Sequence, residues 1–68
     1  MEKFIVNGRI NSRYIETKEF NSNKKAEKYI DDLCNKYVLQ VEEVVNENNE
    51  NLFLVDYHNE FSIKQIYF

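Results

Sequence analysis

One stretch of this chain, Ser22 to Val38, spaces its apolar residues as a helix does, and no second stretch does so. That feature constrains the fold more than any other. Ten residues are Phe or Tyr, and aromatic side chains demand cover because each carries a large apolar area. A lone amphipathic helix shields one face of a sheet. The remaining segments must therefore form strands, and the far face of their sheet needs another partner.

Lys3 to Ile10 sets Phe4, Val6 and Ile10 on one side and Lys3, Asn7 and Arg9 on the other, the period of a half-buried strand. Two turns compete to end it. Asn7-Gly8 is the strongest hairpin dipeptide, but a turn there leaves a first strand of about four residues and much of Arg13 to Phe20 unpaired. The turn is therefore expected at Asn11-Ser12, with Gly8 marking a bulge or a close backbone approach. A second strand spans Arg13 to Phe20, and Asn21-Ser22-Asn23 supplies oxygens able to cap a helix.

Within the helix, Ala26, Ile30, Leu33 and Tyr37 recur at three- and four-residue spacing, bordered by Tyr29 and Cys34. Lys28 with Asp32, and Asp32 with Lys36, stand four apart on the polar side. Leu39 to Asn46 reads as a strand in which the doubled Glu42-Glu43 breaks alternation and predicts a bulge. The run Asn46 to Asn51 predicts a hairpin loop that uses Asn where left-handed backbone is needed. Leu52 to Tyr57 and Phe61 to Phe68 are the last two strands, joined by a turn at His58-Asn59-Glu60.

The order is ββαβββ. It predicts an α+β fold, a two-layer sandwich of a mostly antiparallel five-stranded sheet with one helix on one face. The chain of 68 residues is read as one domain spanning 1–68, near the size at which a single core holds without disulfides or metal. A lack of Pro and a single Gly argue for a chain folded throughout. The opening Met1-Glu2-Lys3-Phe4 has no long apolar run, so neither a signal peptide nor a membrane span is expected, and a cytoplasmic setting is. The single cysteine, Cys34, lies beside the apolar stripe and suits a buried small hydrophobe.

Charge is divided along the chain. Residues 1 to 30 carry seven basic and four acidic side chains, and the rest carry two basic and eight acidic ones. Such a division either steers a charged partner or draws the two halves of the domain together. Lys24, Lys25 and Lys28 place cations near the positive end of the helix dipole. With Arg9 and Arg13 they form a candidate anion site for a nucleic acid or a phosphorylated ligand, against the reading of a solvated face neutralised by Glu19 and Glu27. No nucleic-acid-binding motif accompanies them.

No nucleophile with its base, no carboxylate pair in a pocket pattern and no metal-ligand spacing is visible. An enzyme is not expected, nor a cofactor or metal. His58 reads as a turn residue beside Asp56 and Glu60. The aromatics are more informative. Phe4, Phe20, Phe53 and Phe61 are expected in the core, which leaves Tyr14, Tyr57, Tyr67 and Phe68, with Ile66 and, as a further candidate, Ile15, for the far face or an edge as a partner-binding surface. The last strand ends Ile66-Tyr67-Phe68 without the charge or Pro that blunts an edge, so edge pairing or stacking of open faces in a homodimer is expected.

The expected function is a small protein-binding module, homodimeric, that occupies a surface of a larger protein. Binding of a nucleic acid or phosphate ligand through the basic helix start is the alternative. In size, acidity and lack of a catalytic motif the chain looks like the small phage-borne proteins that inhibit host defence, anti-CRISPR proteins among them. The resemblance is one of general character and carries no residue roles over. It implies that Glu42, Glu43, Glu47, Glu50, Asp56 and Glu60 imitate nucleic-acid phosphates toward a basic target, where otherwise they keep the protein soluble.

Overall fold

The computed structural model describes residues Met1 to Tyr67. Their order is β1 (Glu2–Ile10), β2 (Arg13–Tyr14), β3 (Lys18–Phe20), α1 (Asn23–Tyr37), β4 (Glu43–Glu47), β5 (Glu50–Leu54) and β6 (Glu60–Tyr67). Every strand pairing is antiparallel, and the sheet runs β2-β1-β6-β5-β4 with β3 also on β1. The fold is the expected α+β arrangement of one helix on a mostly antiparallel sheet.

Two hairpins, β1–β2 and β4–β5, close through two-residue turns made by residues that tolerate left-handed backbone. Asn11 and Ser12 have φ of 52° and 66°, and Asn48 and Asn49 have 47° and 62°. Two positive φ values in succession match the twist of the flanking strands, which is why such turns favour hairpins. The first turn therefore falls at Asn11-Ser12, and Gly8 stays within β1. The bulge at Glu42-Glu43 is present as well: Glu42 N–H donates to the Leu54 carbonyl at 2.8 Å, while Glu43 is the register partner of Leu54.

The expected strand from Arg13 to Phe20 is broken. Arg9 pairs with Tyr14 and Val6 with Lys18, so Asn7 and Gly8 face three residues, Ile15 to Thr17. The extra residue bends the strand and lets Ile15 pack against the core beside Gly8, which corrects its expected place on the far face or an edge. Ile15 N–H still donates to the Gly8 carbonyl at 3.0 Å, and Thr17 Oγ1 donates to Asn7 Oδ1 at 2.7 Å, so both sides of the bulge stay tied to β1.

Ser22 caps α1, its hydroxyl accepting the Lys25 N–H at 3.2 Å. Ala26, Ile30 and Cys34, each four apart, are the buried stripe. They lie on Phe4, Val6, Phe61 and Ile63 of the two central strands to form the core. Removing side chains of that size from water contributes about 2 kcal/mol apiece. α1 packs on β3, β1 and β6. It stops short of β4 and β5, and Leu39 and Val41 of the connecting segment, like Phe53 and Val55, pack half-buried against the core.

β6 is not an edge. It lies between β1 and β5 and pairs with β1 along its whole length, from Glu2 with Tyr67 to Arg9 with Glu60. Edge pairing of the chain's last strand, expected from its uncharged end, is thus corrected: the edges are β4 on one side and β2 with β3 on the other.

Candidate protein-binding surface

Strand register divides the predicted contact residues. Residues that pair with Lys3, Ile5, Asn7 and Arg9 share the face away from the helix, which places Ile66, Lys64, Ser62, Glu60 and Tyr14 there. Glu50, Leu52 and Leu54 of β5 join them through Lys64, Ser62 and Glu60. This face mixes charged and polar side chains (Lys3, Asn7, Arg9, Glu60, Ser62, Lys64, Glu50) with apolar ones (Ile5, Ile66, Leu52, Leu54), and no described element covers it. Tyr67 is on the helix side, opposite Glu2, where its hydroxyl accepts from Gln65 Nε2 at 2.8 Å. Phe68 lies outside the described residues.

Tyr14 and Ile66 share the open face but not a neighbourhood. Their β1 partners are Arg9 and Lys3, and six residues of strand separate them by about 20 Å. Tyr57, by contrast, lies at the same end of the sheet as Tyr14. Tyr14 and Tyr57 are each 86 % exposed, and Val38, which ends the helix at that same end, is 90 % exposed. Tyr37 stands beside Val38, with Lys36 Nζ 5.4 Å from its ring centre. A depression of about 520 Å³ is lined by Tyr14, Tyr37, Ile10, Ile15 and Arg13.

Two turns brace this end against each other. Ser12 N–H donates to the His58 carbonyl at 2.9 Å, and Ser12 Oγ and His58 Nδ1 are hydrogen-bonded at 2.7 Å. The His58 ring meets Tyr57 edge-on, at 5.2 Å between centres. Asp56 Oδ1 accepts the His58 and Asn59 N–H groups at 2.8 and 2.9 Å, and those bonds, with that of the Asn59 side chain, hold the Asp56 carboxyl below its ordinary pKa. Asn59 is buried at 5 % exposure and links both turns. In the sequence Asp56 reads as surface charge and Asn59 as a turn residue; the available signal is an Asp two residues before His58, the spacing at which a carboxylate closes an Asx turn on a backbone N–H.

The acidic set separates into two kinds. Glu42, Glu43, Glu47 and Glu50 line the β4–β5 hairpin. Asp56 is committed to its turn, and Glu60 pairs with Arg9 Nη2 at 3.0 Å across the two halves of the chain. The basic set does not converge either. Lys24, Lys25 and Lys28 are at the start of α1, whereas Arg9 and Arg13 are at the opposite end of the sheet near the first turn. Lys28 faces Asp32 at 3.5 Å, and Asn23 Nδ2 donates to Glu27 at 2.8 Å. The anion site assembled from all five cations is therefore corrected: strand direction carries two of them away from the other three.

Among the described residues, no group of three or more His, Cys, Asp or Glu is placed to hold a metal, and no helix is long and apolar enough to cross a membrane. Burial, reinforced by the nearby Asp31 carboxylate, pushes the Cys34 thiol up from its ordinary pKa. No family model, curated protein or solved structure matches the chain.

Proposed function

We propose that this chain is a non-enzymatic protein-binding module that occupies a surface of a larger protein, with Tyr14, Tyr57, Tyr37 and Val38 as its contact points. One observation carries the reading: Tyr14, Tyr57 and Val38 stand almost fully exposed at one end of the sheet, with Tyr37 half-exposed among them, and Tyr14 and Tyr57 flank two turns that are braced against each other. Tyrosine suits such a surface because it has a rigid apolar body, a polar tip and little conformational entropy to lose. Bracing lowers the ordering cost of binding further. Inhibition of a host-defence protein, the role implied by the likeness to phage-borne inhibitors, is one form of this reading.

The test is capture from the native cell with the intact protein and with a Tyr14→Ser/Tyr57→Ser variant. Both side chains are exposed, so the variant keeps its melting temperature. A protein retained by the parent and released by the variant supports the proposal. Equal retention, or none with the parent, overturns it. Self-association is the second form: a dimer mass for the parent and a monomer mass for the variant would make the partner another copy of the chain. Nucleic-acid binding through the helix start is the weaker alternative, because the geometry leaves Lys24, Lys25 and Lys28 without Arg9 and Arg13.

A further inference from the structure

We propose that the outer edge of β4 takes up a basic, extended segment of a partner protein as an added strand. The proposal concerns the edge of the sheet rather than the tyrosine-bearing end, and it stands or falls separately from that reading.

No described strand lies beyond β4. The turn Asn48-Asn49 makes Glu47 and Glu50 the closing pair of the hairpin, so Glu47, Val45 and Glu43 direct their backbone groups to β5. Val44 and Asn46, one residue out of phase, direct theirs outward. An outward row of N–H and C=O groups is a template for another strand unless charge, Pro, a bulge or a covering element blunts it. β4 has neither Pro nor a covering element; its protection is the bulge at Glu42-Glu43, before the outward groups of Val44 and Asn46, and the charge of Glu43 and Glu47, which acts against a strand of like charge and not against a basic one. Its sequence is Glu-Val-Val-Asn-Glu, and α1 does not reach it. Val44 is 52 % exposed on the helix side, leaving open the space an incoming side chain would fill.

Charge decides which strand fits. β4 and β5 contain no basic residue, and Glu43 and Glu47 project from the same face at either end of Val45. A second copy of β4 pairing antiparallel about Val45 would set Glu43 against Glu47 twice, and like charges directly opposite are repelled. A strand with basic residues four apart reverses that interaction. Those residues would stand opposite Glu43 and Glu47 at positions where side chains approach most closely, with apolar residues opposite Val45 and Val44. The edge thus rejects itself and selects an alternating basic and apolar segment, in the manner of strand addition to a sheet.

The test uses the full chain, isotopically labelled, and a capped peptide Ser-Lys-Thr-Val-Val-Lys-Ser. Saturating peptide is expected to slow hydrogen exchange at the Val44 and Asn46 amides at least tenfold, with binding weakened by added salt. The same peptide with both Lys replaced by Glu should leave those amides unchanged. Glu43→Lys/Glu47→Lys should abolish binding of the basic peptide, and Val44→Pro, which removes an outward donor only, should abolish it with the rest of the amide spectrum preserved. Unprotected Val44 and Asn46 amides, equal response to the acidic peptide, or undiminished binding by the charge-reversed variant would overturn the proposal.

Discussion

The side-chain oxygen of Asn59 accepts the backbone N–H of Asn11 at 2.8 Å, tying the turn before β6 to the turn after β1. The same side chain donates to Asp56 Oδ1 at 2.9 Å, and the Asn59 carbonyl accepts the Asp56 N–H at 3.1 Å. Asn59→Ala would leave the Asn11 donor without this acceptor in a part-buried site. A lost bond of that kind costs about 2 kcal/mol, which is a melting temperature lower by roughly 10 °C for a domain of this size. Thermal and urea unfolding check it, and a variant as stable as the parent would remove Asn59 from its role as a tie.

Gly8 is required by what packs on it. A Cβ there would sit 2.6 Å from Phe61 Cδ1 and 3.1 Å from both the Glu60 carbonyl and Ile15 Cδ1. Phe61 is 1 % exposed and has nowhere to retreat. Gly8→Ala is expected to destabilise by about 2 kcal/mol through overpacking. Phe61→Leu should lessen that loss, so the double variant will be more stable than the two single losses predict by addition. Additive losses in a double-mutant cycle would refute the contact.

Asp56 gives the stability of this end a defined pH dependence. Its carboxyl is held below the ordinary value of 3.8 by bonds from His58 N–H and from Asn59. A carboxylate with a depressed folded pKa binds fewer protons folded than unfolded, so its stabilisation is complete above the unfolded pKa and is lost as pH falls through the folded one. The stability difference between parent and Asp56→Ala should therefore be constant from neutral pH down to about 5 and shrink below 3.8. Urea midpoints measured for both proteins across that range would show it. A difference that persists unchanged into strong acid would mean the charge contributes nothing.

What could be read from the chain was local. The helix ends were legible because Ser22 is a capping residue and because the apolar spacing starts at Ala26 and stops near Tyr37. Asn11-Ser12, Asn48-Asn49 and the Glu42-Glu43 bulge were legible because each depends on backbone chemistry within a few residues. The break in the second strand was not, since it follows from Ile15 docking beside Gly8 and Phe61, a contact across 46 residues. Nor was the central place of β6, because pairing the first strand with the last leaves no trace in either sequence alone. That pairing decides the faces of Ile66 and Tyr67, and so it divides a surface that looked continuous. Tyr14 and Tyr57 are legible as exposed aromatics once the core positions are filled; that they share an end with Val38 depends on topology.

Val38 ends the helix in a left-handed conformation, with φ of 55° and ψ of 51°, and its N–H returns to the Cys34 carbonyl. That position favours Gly, since a β-branched residue crowds its own backbone there by about 1 to 2 kcal/mol. At 90 % exposure the side chain recovers none of this through burial within the chain. Val38→Gly is expected to raise stability by about 1 kcal/mol, net of the extra freedom Gly gives the unfolded chain. Strain kept at an exposed apolar residue beside Tyr37 fits a contact point better than a structural one. The same variant should therefore weaken capture of the partner retained through Tyr14 and Tyr57. Higher stability with undiminished capture would exclude Val38 from the binding surface, and unchanged stability would show that its conformation carries no strain.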